Sequence, residues 1–231
     1  MAWSRALLGT LLVLVALVVG LCFGLHAMGT SRLPDDLKPS RYRAPTDVRA
    51  LFLKVEAGDV DIGDVPRLDP VSVWGYRLWH VSGKQREPLD EQLRLLGHAG
   101  RMLATRESST ASATHWHLVN LAASVHVSRH WRVDDMVGTV LAKAGFGRNA
   151  RGIEQAAQVW YRRPLADLVP EERLLLIALM KGPSYYDPVC RPERFADRYR
   201  HLATKAGGFD ADTALSRALA RLSKQACPDR R

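Results

Sequence analysis

Residues 145–188, GFGRNARGIEQAAQVWYRRPLADLVPEERLLLIALMKGPSYYDP, decide the fold class of this chain. In the first half, apolar residues recur at helical spacing from Ile153 to Tyr161, which is typical of a helix with one buried face. The second half opens with Pro170 and two glutamates and closes with Lys-Gly-Pro at 181–183, the residue types that start and stop helices. The stretch therefore predicts two short helices, and the second is apolar on all sides and buried.

Helical periodicity extends over most of the remaining chain. Residues 51–55 (LFLKV) are the exception, because this short apolar run is typical of a strand. Five further helices are expected: one with Asp90 as N-cap, one within 116–131, one after Asp134, and a basic amphipathic pair around 195–202 and 213–222. The sequence thus predicts a mainly α protein.

The N-terminus contains an apolar segment long enough to cross a membrane. Residues 6–25 carry no charge, and about 20 apolar residues span a hydrocarbon core. Leu25 occupies the −3 place before Ala27, which argues against cleavage as a signal peptide. We predict a single transmembrane anchor over 1–28, a proline-containing linker over 29–50 and one domain over 51–231.

Charge indicates an anionic partner and leaves the orientation open. The 231 residues carry a formal net charge of +9, and behind an anchor this favours lipid headgroups or lipid-linked phosphates over nucleic acid. One arginine precedes the apolar segment and four cations follow it closely, so counting flanking charges places the body inside. Of three cysteines, Cys190 and Cys227 lie outside the apolar segment, and in an exported domain they could form a disulfide.

Several kinds of site are not indicated. His126 and His130 have the spacing of a zinc-protease pair, but Val127 stands where the glutamate is needed, so no metal site is expected. The glycines of 145–150 match a dinucleotide-binding loop without the surrounding βαβ pattern, and no cofactor is expected. The chain has neither Ser-x-x-Lys nor Lys-Thr-Gly, which excludes a penicillin-binding transpeptidase site.

One run of motifs carries a family resemblance. Residues 128–200 resemble the family-51 peptidoglycan glycosyltransferase domain of bifunctional penicillin-binding proteins and monofunctional murein transglycosylases. The matching pieces, in order, are Phe146-Gly147, Gly152-Ile153-Glu154, Ala156-Ala157, Trp160-Tyr161-Arg162-Arg163, Leu168, Glu172 and Pro183-Ser184-Tyr185-Tyr186-Asp187-Pro188.

The resemblance implies a fold, a place and a substrate. It implies a lysozyme-like helical domain, here with a shortened first half, that is held at the bacterial inner membrane by a single span. The body would lie outside the cytoplasm, in the periplasm. The implied substrate is undecaprenyl-diphosphate-linked disaccharide, which such enzymes polymerise without a cofactor in cell-wall synthesis.

The resemblance also assigns roles to individual residues. Residues 91–100 (EQLRLLGHAG) are similar to the family's Glu-Asp-x-x-Phe-x-x-His-x-Gly motif, so Glu91 would be the catalytic base. Arg94, Arg148 and Arg151 would contact the diphosphate of the substrate. Each of these arginines could equally be an ordinary solvated surface charge with no role in substrate binding.

Acidic positions of the family are missing from this chain. Two glutamates eight residues apart fall by position on Asn120 and Ser128, and the Lys, Glu and Asn of the next motif fall on Val133, Gly138 and Ala142. Two hypotheses follow and both stay open. The chain is either a peptidoglycan glycosyltransferase with a sparse site, or an inactive relative that binds lipid-linked precursor or partner proteins of wall synthesis.

Overall fold

The computed structural model describes residues 2–58, 65–81, 88–104, 113–208, 210–223 and 226–227. Within these ranges the chain is mainly α, as predicted, and contains no β-strand beyond one isolated bridge between Gly145 and Arg151. The α-helices are α1 (Ala2–Thr30), α2 (Thr46–Phe52), α3 (Pro70–Val81), α4 (Pro88–Ala104), α5 (Ala113–His130), α6 (Val133–Lys143), α7 (Ile153–Tyr161), α8 (Pro170–Leu179), α9 (Pro192–Ala206) and α10 (Ala211–Ala220).

Helix α1 is the one described helix long and apolar enough to cross a membrane. The candidate span is Ala6–Thr30, and most of its leucines and valines are exposed. The C-terminal end of α1 packs on α5, where Gly29 meets the backbone of Leu118. An exposed apolar helix of this length is compatible with the predicted single-pass anchor.

The described residues form two compact units, and the first contains Met1–Lys38 and Val65–Arg132. Its centre is the packing of α4 on α5, with α1 and α3 against α5. Helices α4 and α5 approach closely because Gly100 has no side chain: a Cβ there would lie 2.7 Å from the Ser124 hydroxyl. The predicted N-cap of α4 is wrong, because α4 already includes Pro88 and Asp90 lies inside it.

The second unit contains Pro39–Asp64 and Val133–Arg231. Its core is α8, in which every side chain from Leu174 to Leu179 is fully buried, as its all-round apolar sequence predicts. Helix α7 contributes the stripe from Ile153 to Tyr161, also as predicted, and α9 packs Phe195 against the same core. Clusters of this size supply the main free energy of folding.

The strand predicted at residues 51–55 is wrong. Helix α2 runs into a π-helical turn at Leu53–Ala57 instead, and Gly58 ends it in the left-handed conformation. Phe52, Leu53 and Val55 are all buried, so the apolar run is a helical segment enclosed on several sides rather than a strand with one inner face. Glu56 in this turn forms a largely buried ion pair with Arg198 of α9.

The two cysteines of the second unit are bonded. Cys190 and Cys227 form a disulfide with Cα atoms 5.3 Å apart, which confirms the pairing considered from the sequence. The bond closes a loop between positions 37 residues apart and fastens the end of the chain to the segment before α9.

Candidate functional site

In the first unit, α4 brings Glu91 and Arg94 together. The Glu91 carboxylate and the Arg94 guanidinium are 3.8 Å apart, one helical turn from each other. Their side chains are 29% and 34% exposed, so both remain accessible to a polar ligand. A half-exposed ion pair of this kind contributes little to stability, which leaves it free for a role in binding or proton transfer.

Helix α5 presents neutral polar groups where the family resemblance expects two carboxylates. Asn120, Ser124 and Ser128 follow one another at four-residue spacing, and all three are buried. Ser124 donates its hydroxyl to the carbonyl of Asn120, and Ser128 donates to the carbonyl of Val125. The Oδ1 atom of Asn120 has no hydrogen-bond partner within the part of the chain that the structure describes.

Ser128 has a further structural contact. Its hydroxyl accepts the backbone N–H of Leu68 at 3.0 Å, and the carbonyl of Leu68 in turn accepts from Arg129. The position is therefore used to hold the segment that leads into α3. A carboxylate placed here or at Asn120 would be buried, and a buried charge that lacks a cation beside it costs about 3–5 kcal/mol.

In the second unit, Gly138 on α6 occupies another position where the resemblance expects an acid. A Cβ at Gly138 would overlap the carbonyl oxygen of Tyr42. The segment around Tyr42 is fixed over α6 because the backbone N–H of Ser40 donates to Thr139 at 2.8 Å and Tyr42 donates to Glu154 of α7 at 3.0 Å. No side chain, acidic or otherwise, fits at Gly138 while this segment is in place.

A tight loop between α6 and α7 carries Arg148 and Arg151. Gly147, Arg148, Asn149 and Gly152 all have positive φ, and short backbone hydrogen bonds close the loop, such as Phe146 N–H to the carbonyl of Ala150 at 3.0 Å. Gly152 cannot be replaced without strain, because a Cβ would lie 2.7 Å from the carbonyl of Ala142. Gly147 and Gly152 both belong to the motifs that carry the family resemblance.

The two arginines of this loop have different surroundings. Arg151 is exposed, and the structure shows no partner for its guanidinium among the described residues; only its backbone N–H is engaged, with Gln155. The Arg148 side chain is only 14% exposed, and it pairs with Asp187 at 3.0 Å. Asp187 itself accepts the backbone N–H groups of Val189 and Cys190, so it organises the segment before α9.

The sequence did not reveal that Asp187 pairs with Arg148 or that Tyr42 donates to Glu154, because these partners lie far apart along the chain. The structure brings Glu91 close to Arg94 in the first unit and places Arg148 and Arg151 on one loop in the second. His126 and His130 stack at 4.3 Å, and no group of three metal-ligating side chains is found in the described ranges.

Comparisons with known proteins agree with this architecture. The sequence model of the transglycosylase family matches residues 101–206. Over these residues the chain is similar to transglycosylase-family domains. Glu91 and Arg94 precede the matched residues, whereas the loop with Arg148 and Arg151 lies inside them.

Curated relatives match about a third of the chain. The chain is 35% identical over 75 residues to penicillin-binding protein 1A of Pseudomonas aeruginosa, which is 32% of this chain and 9% of that protein. It is 37% identical over 79 residues to penicillin-binding protein 1A of Mycolicibacterium smegmatis, 34% of this chain and 10% of that protein. The corresponding protein of Mycobacterium tuberculosis is 36% identical over 73 residues, 32% of this chain and 9% of that protein. The matched segment is therefore about a tenth of the length of these relatives.

Proposed function

We propose that this chain is a membrane-anchored peptidoglycan glycosyltransferase that acts on undecaprenyl-diphosphate-linked disaccharide. The observation that carries the proposal is a transglycosylase-family domain on a chain whose α1 is an exposed apolar helix. A lipid-linked substrate stays in the bilayer, so an enzyme that uses it gains from being held at the same surface. The exposed Arg151 on the family's glycine-rich loop supplies a cation for a diphosphate.

The proposed chemistry uses few groups. Glu91 would take the proton from the attacking sugar hydroxyl, and general base catalysis of this kind typically contributes about 10²–10⁴-fold in rate. Arg94 lies 3.8 Å from the Glu91 carboxylate and supplies a cation that can attract an anionic substrate. Arg148 and Arg151 would balance the charge that develops on the leaving diphosphate.

A second candidate function is a catalytically inactive relative that binds the lipid-linked precursor or other proteins of wall synthesis. The buried neutral contacts of Asn120 and Ser128 favour it, because these positions hold the fold together instead of carrying carboxylates. Gly138 favours it for the same reason. Binding through the loop arginines needs none of the missing acids.

The disulfide supports the outward orientation of the body. Disulfides form and persist mainly outside the reducing cytoplasm, so the Cys190–Cys227 bond favours the periplasmic side of the inner membrane. The count of flanking positive charges, by contrast, places the body inside. We give more weight to the disulfide because it belongs to the folded domain itself.

The test is glycan-chain formation from purified lipid-linked disaccharide by the full chain in detergent, with the Glu91→Gln variant beside it. The proposal predicts polymer from the wild type and a loss of about 10²-fold or more in the variant. Glu193→Gln is the matched control, because Glu193 is exposed on α9 and it should leave the rate unchanged. Saturable binding of the lipid-linked disaccharide without polymer formation would support the second candidate function, an inactive relative that binds the precursor.

A further inference from the structure

The guanidinium of Arg148 connects four parts of the second unit. It lies over the ring of Trp160 in α7, with its carbon 5.5 Å from the ring centroid. Its Nη2 pairs with Asp187 at 3.0 Å and approaches the sulfur of Cys190 at 3.7 Å. Its Nη1 donates to the carbonyl of Ala226 at 2.5 Å. Ala226 belongs to the chain end, and Asp187 and Cys190 belong to the segment that the disulfide joins to that end.

The end of the chain is held in this position by a covalent bond and two hydrogen bonds. Cys227, the neighbour of Ala226, forms the disulfide with Cys190. Earlier in the same tail, Ser223 donates its backbone N–H to the carbonyl of Trp160 at 2.8 Å and its hydroxyl to that of Val159 at 3.0 Å. The disulfide thus holds Ala226 in contact with Arg148.

The loop held by these contacts adopts a costly conformation. Arg148 and Asn149 have φ of 53° and 62°, a region that residues with side chains rarely occupy and that persists only when surrounding contacts impose it. In addition, Nε of Arg148 is buried without a hydrogen-bond partner, which is unfavourable for a charged donor. Loss of the tail contact would remove one of the contacts that hold this loop, and Nη1 of Arg148 could then reach solvent.

We propose that the C-terminal tail is a redox-sensitive clamp that withholds Arg148 from the anionic substrate, an inference that rests on the diphosphate site proposed above. In the bonded state Arg148 is occupied by Ala226 and Asp187, and Arg151 is the exposed cation of the loop. A dithiol reductant opens the clamp by thiol–disulfide exchange. The S–S bond between Cys190 and Cys227 breaks, each sulfur gains a proton, and the two thiols of the reductant form a disulfide. The released tail frees Nη1 of Arg148, and this atom can then bind the diphosphate while Nη2 stays paired with Asp187.

The test measures loop exposure and ligand affinity in the same full-chain protein in detergent. Amide hydrogen exchange of residues 145–152 is followed with and without dithiothreitol, and the affinity for undecaprenyl diphosphate is measured in parallel. We expect faster exchange and about fivefold to tenfold tighter binding after reduction. The Cys190→Ser/Cys227→Ser variant should behave like the reduced protein. Adding Arg148→Gln to it should abolish the gain, and adding Arg162→Gln should not, because Arg162 is an exposed arginine outside the loop.

Two further results decide the inference if the cysteine variant folds poorly. Ser223→Ala keeps the disulfide and removes one tail contact, so it should shift both measurements in the same direction by a smaller amount. Equal affinity in the oxidised and reduced states, with or without faster exchange, overturns the clamp while leaving the proposed function intact. Absence of binding in both states removes the proposed function and the clamp with it.

Discussion

Gly138 lies on α6 directly under the carbonyl group of Tyr42, and no side chain fits between them. The contact belongs to a segment that is also bonded to Thr139 and Glu154, so it cannot move aside without loss of several hydrogen bonds. Gly138 stands where the family resemblance expects an acid, and in this structure its lack of a side chain lets the Tyr42 segment pack on α6. The same holds for Ser128, whose hydroxyl holds the backbone of Leu68.

Gly138→Ala should destabilise the protein. The added methyl group overlaps the Tyr42 carbonyl, and overpacking of this kind costs about 1–3 kcal/mol. The free energy of unfolding, measured by denaturant titration of the full chain in detergent, checks this. Gly97→Ala is the matched control: it is also a helix-interior glycine but has open space, so it should stabilise by about 0.5–1 kcal/mol. An unchanged stability in Gly138→Ala would show that the segment around Tyr42 is not packed on α6 as described.

Helices α7 and α8 were predictable from sequence because the residues that determine each helix lie within it or directly beside it. The apolar stripe from Ile153 to Tyr161 needs only a 3.6-residue period, and Pro170 with its two following glutamates marks the start of α8. Residues 51–55 were not predictable in this way. A short apolar run is the same in a buried strand and in a buried helical turn, and its helical state depends on tertiary partners such as Arg198.

The candidate site shows the same division between local and distant information. The positive-φ glycines of the loop could be anticipated from the motif, since each needs only its own neighbours. The surroundings of Arg148 could not, because Asp187 is 39 residues away and Ala226 is 78 residues away. Arg148 and Arg151 are equivalent as sequence, whereas in the structure Arg148 is largely enclosed and Arg151 is exposed.

Helix α5 introduces a dependence of stability on pH. Burial lowers the pKa of His126, and the stacked His130 lowers it further, while a hydrogen bond to the Leu37 backbone opposes both. The folded state therefore binds a proton less readily than the unfolded state, whose histidine titrates near 6.5. The stabilising contribution is present above pH 6.5 and is lost as the pH falls from there through the lower folded pKa.

His126→Gln should accordingly flatten the decrease in stability that follows as the pH falls below about 6.5. Thermal unfolding of the full chain at a series of pH values measures this. His117→Gln provides the control, because His117 is exposed on the same helix and the curve should keep its wild-type slope. If the two variants gave the same curve, the pH dependence would have to come from other groups.

At the scale of the whole molecule, the apolar α1 and the disulfide together predict where the cysteines are accessible. The chain has three cysteines, of which Cys190 and Cys227 are bonded and Cys22 is free within α1. Denatured protein from membranes, alkylated with a maleimide without reductant, should take up about one label per chain. After reduction it should take up three, the number of cysteines. Three labels without reductant would contradict an oxidised, exported body.

The central claim is that a transglycosylase-family domain on a membrane anchor binds a lipid-linked diphosphate. Equilibrium binding of undecaprenyl-diphosphate-linked disaccharide to the full chain in detergent tests it most directly, with undecaprenyl monophosphate as the comparison. We predict saturable binding that prefers the diphosphate and is weakened about threefold to tenfold in Arg151→Gln, since one exposed cation is lost, equivalent to about 0.7–1.4 kcal/mol. Equal binding of both lipids, unaffected by Arg151→Gln, would contradict the account.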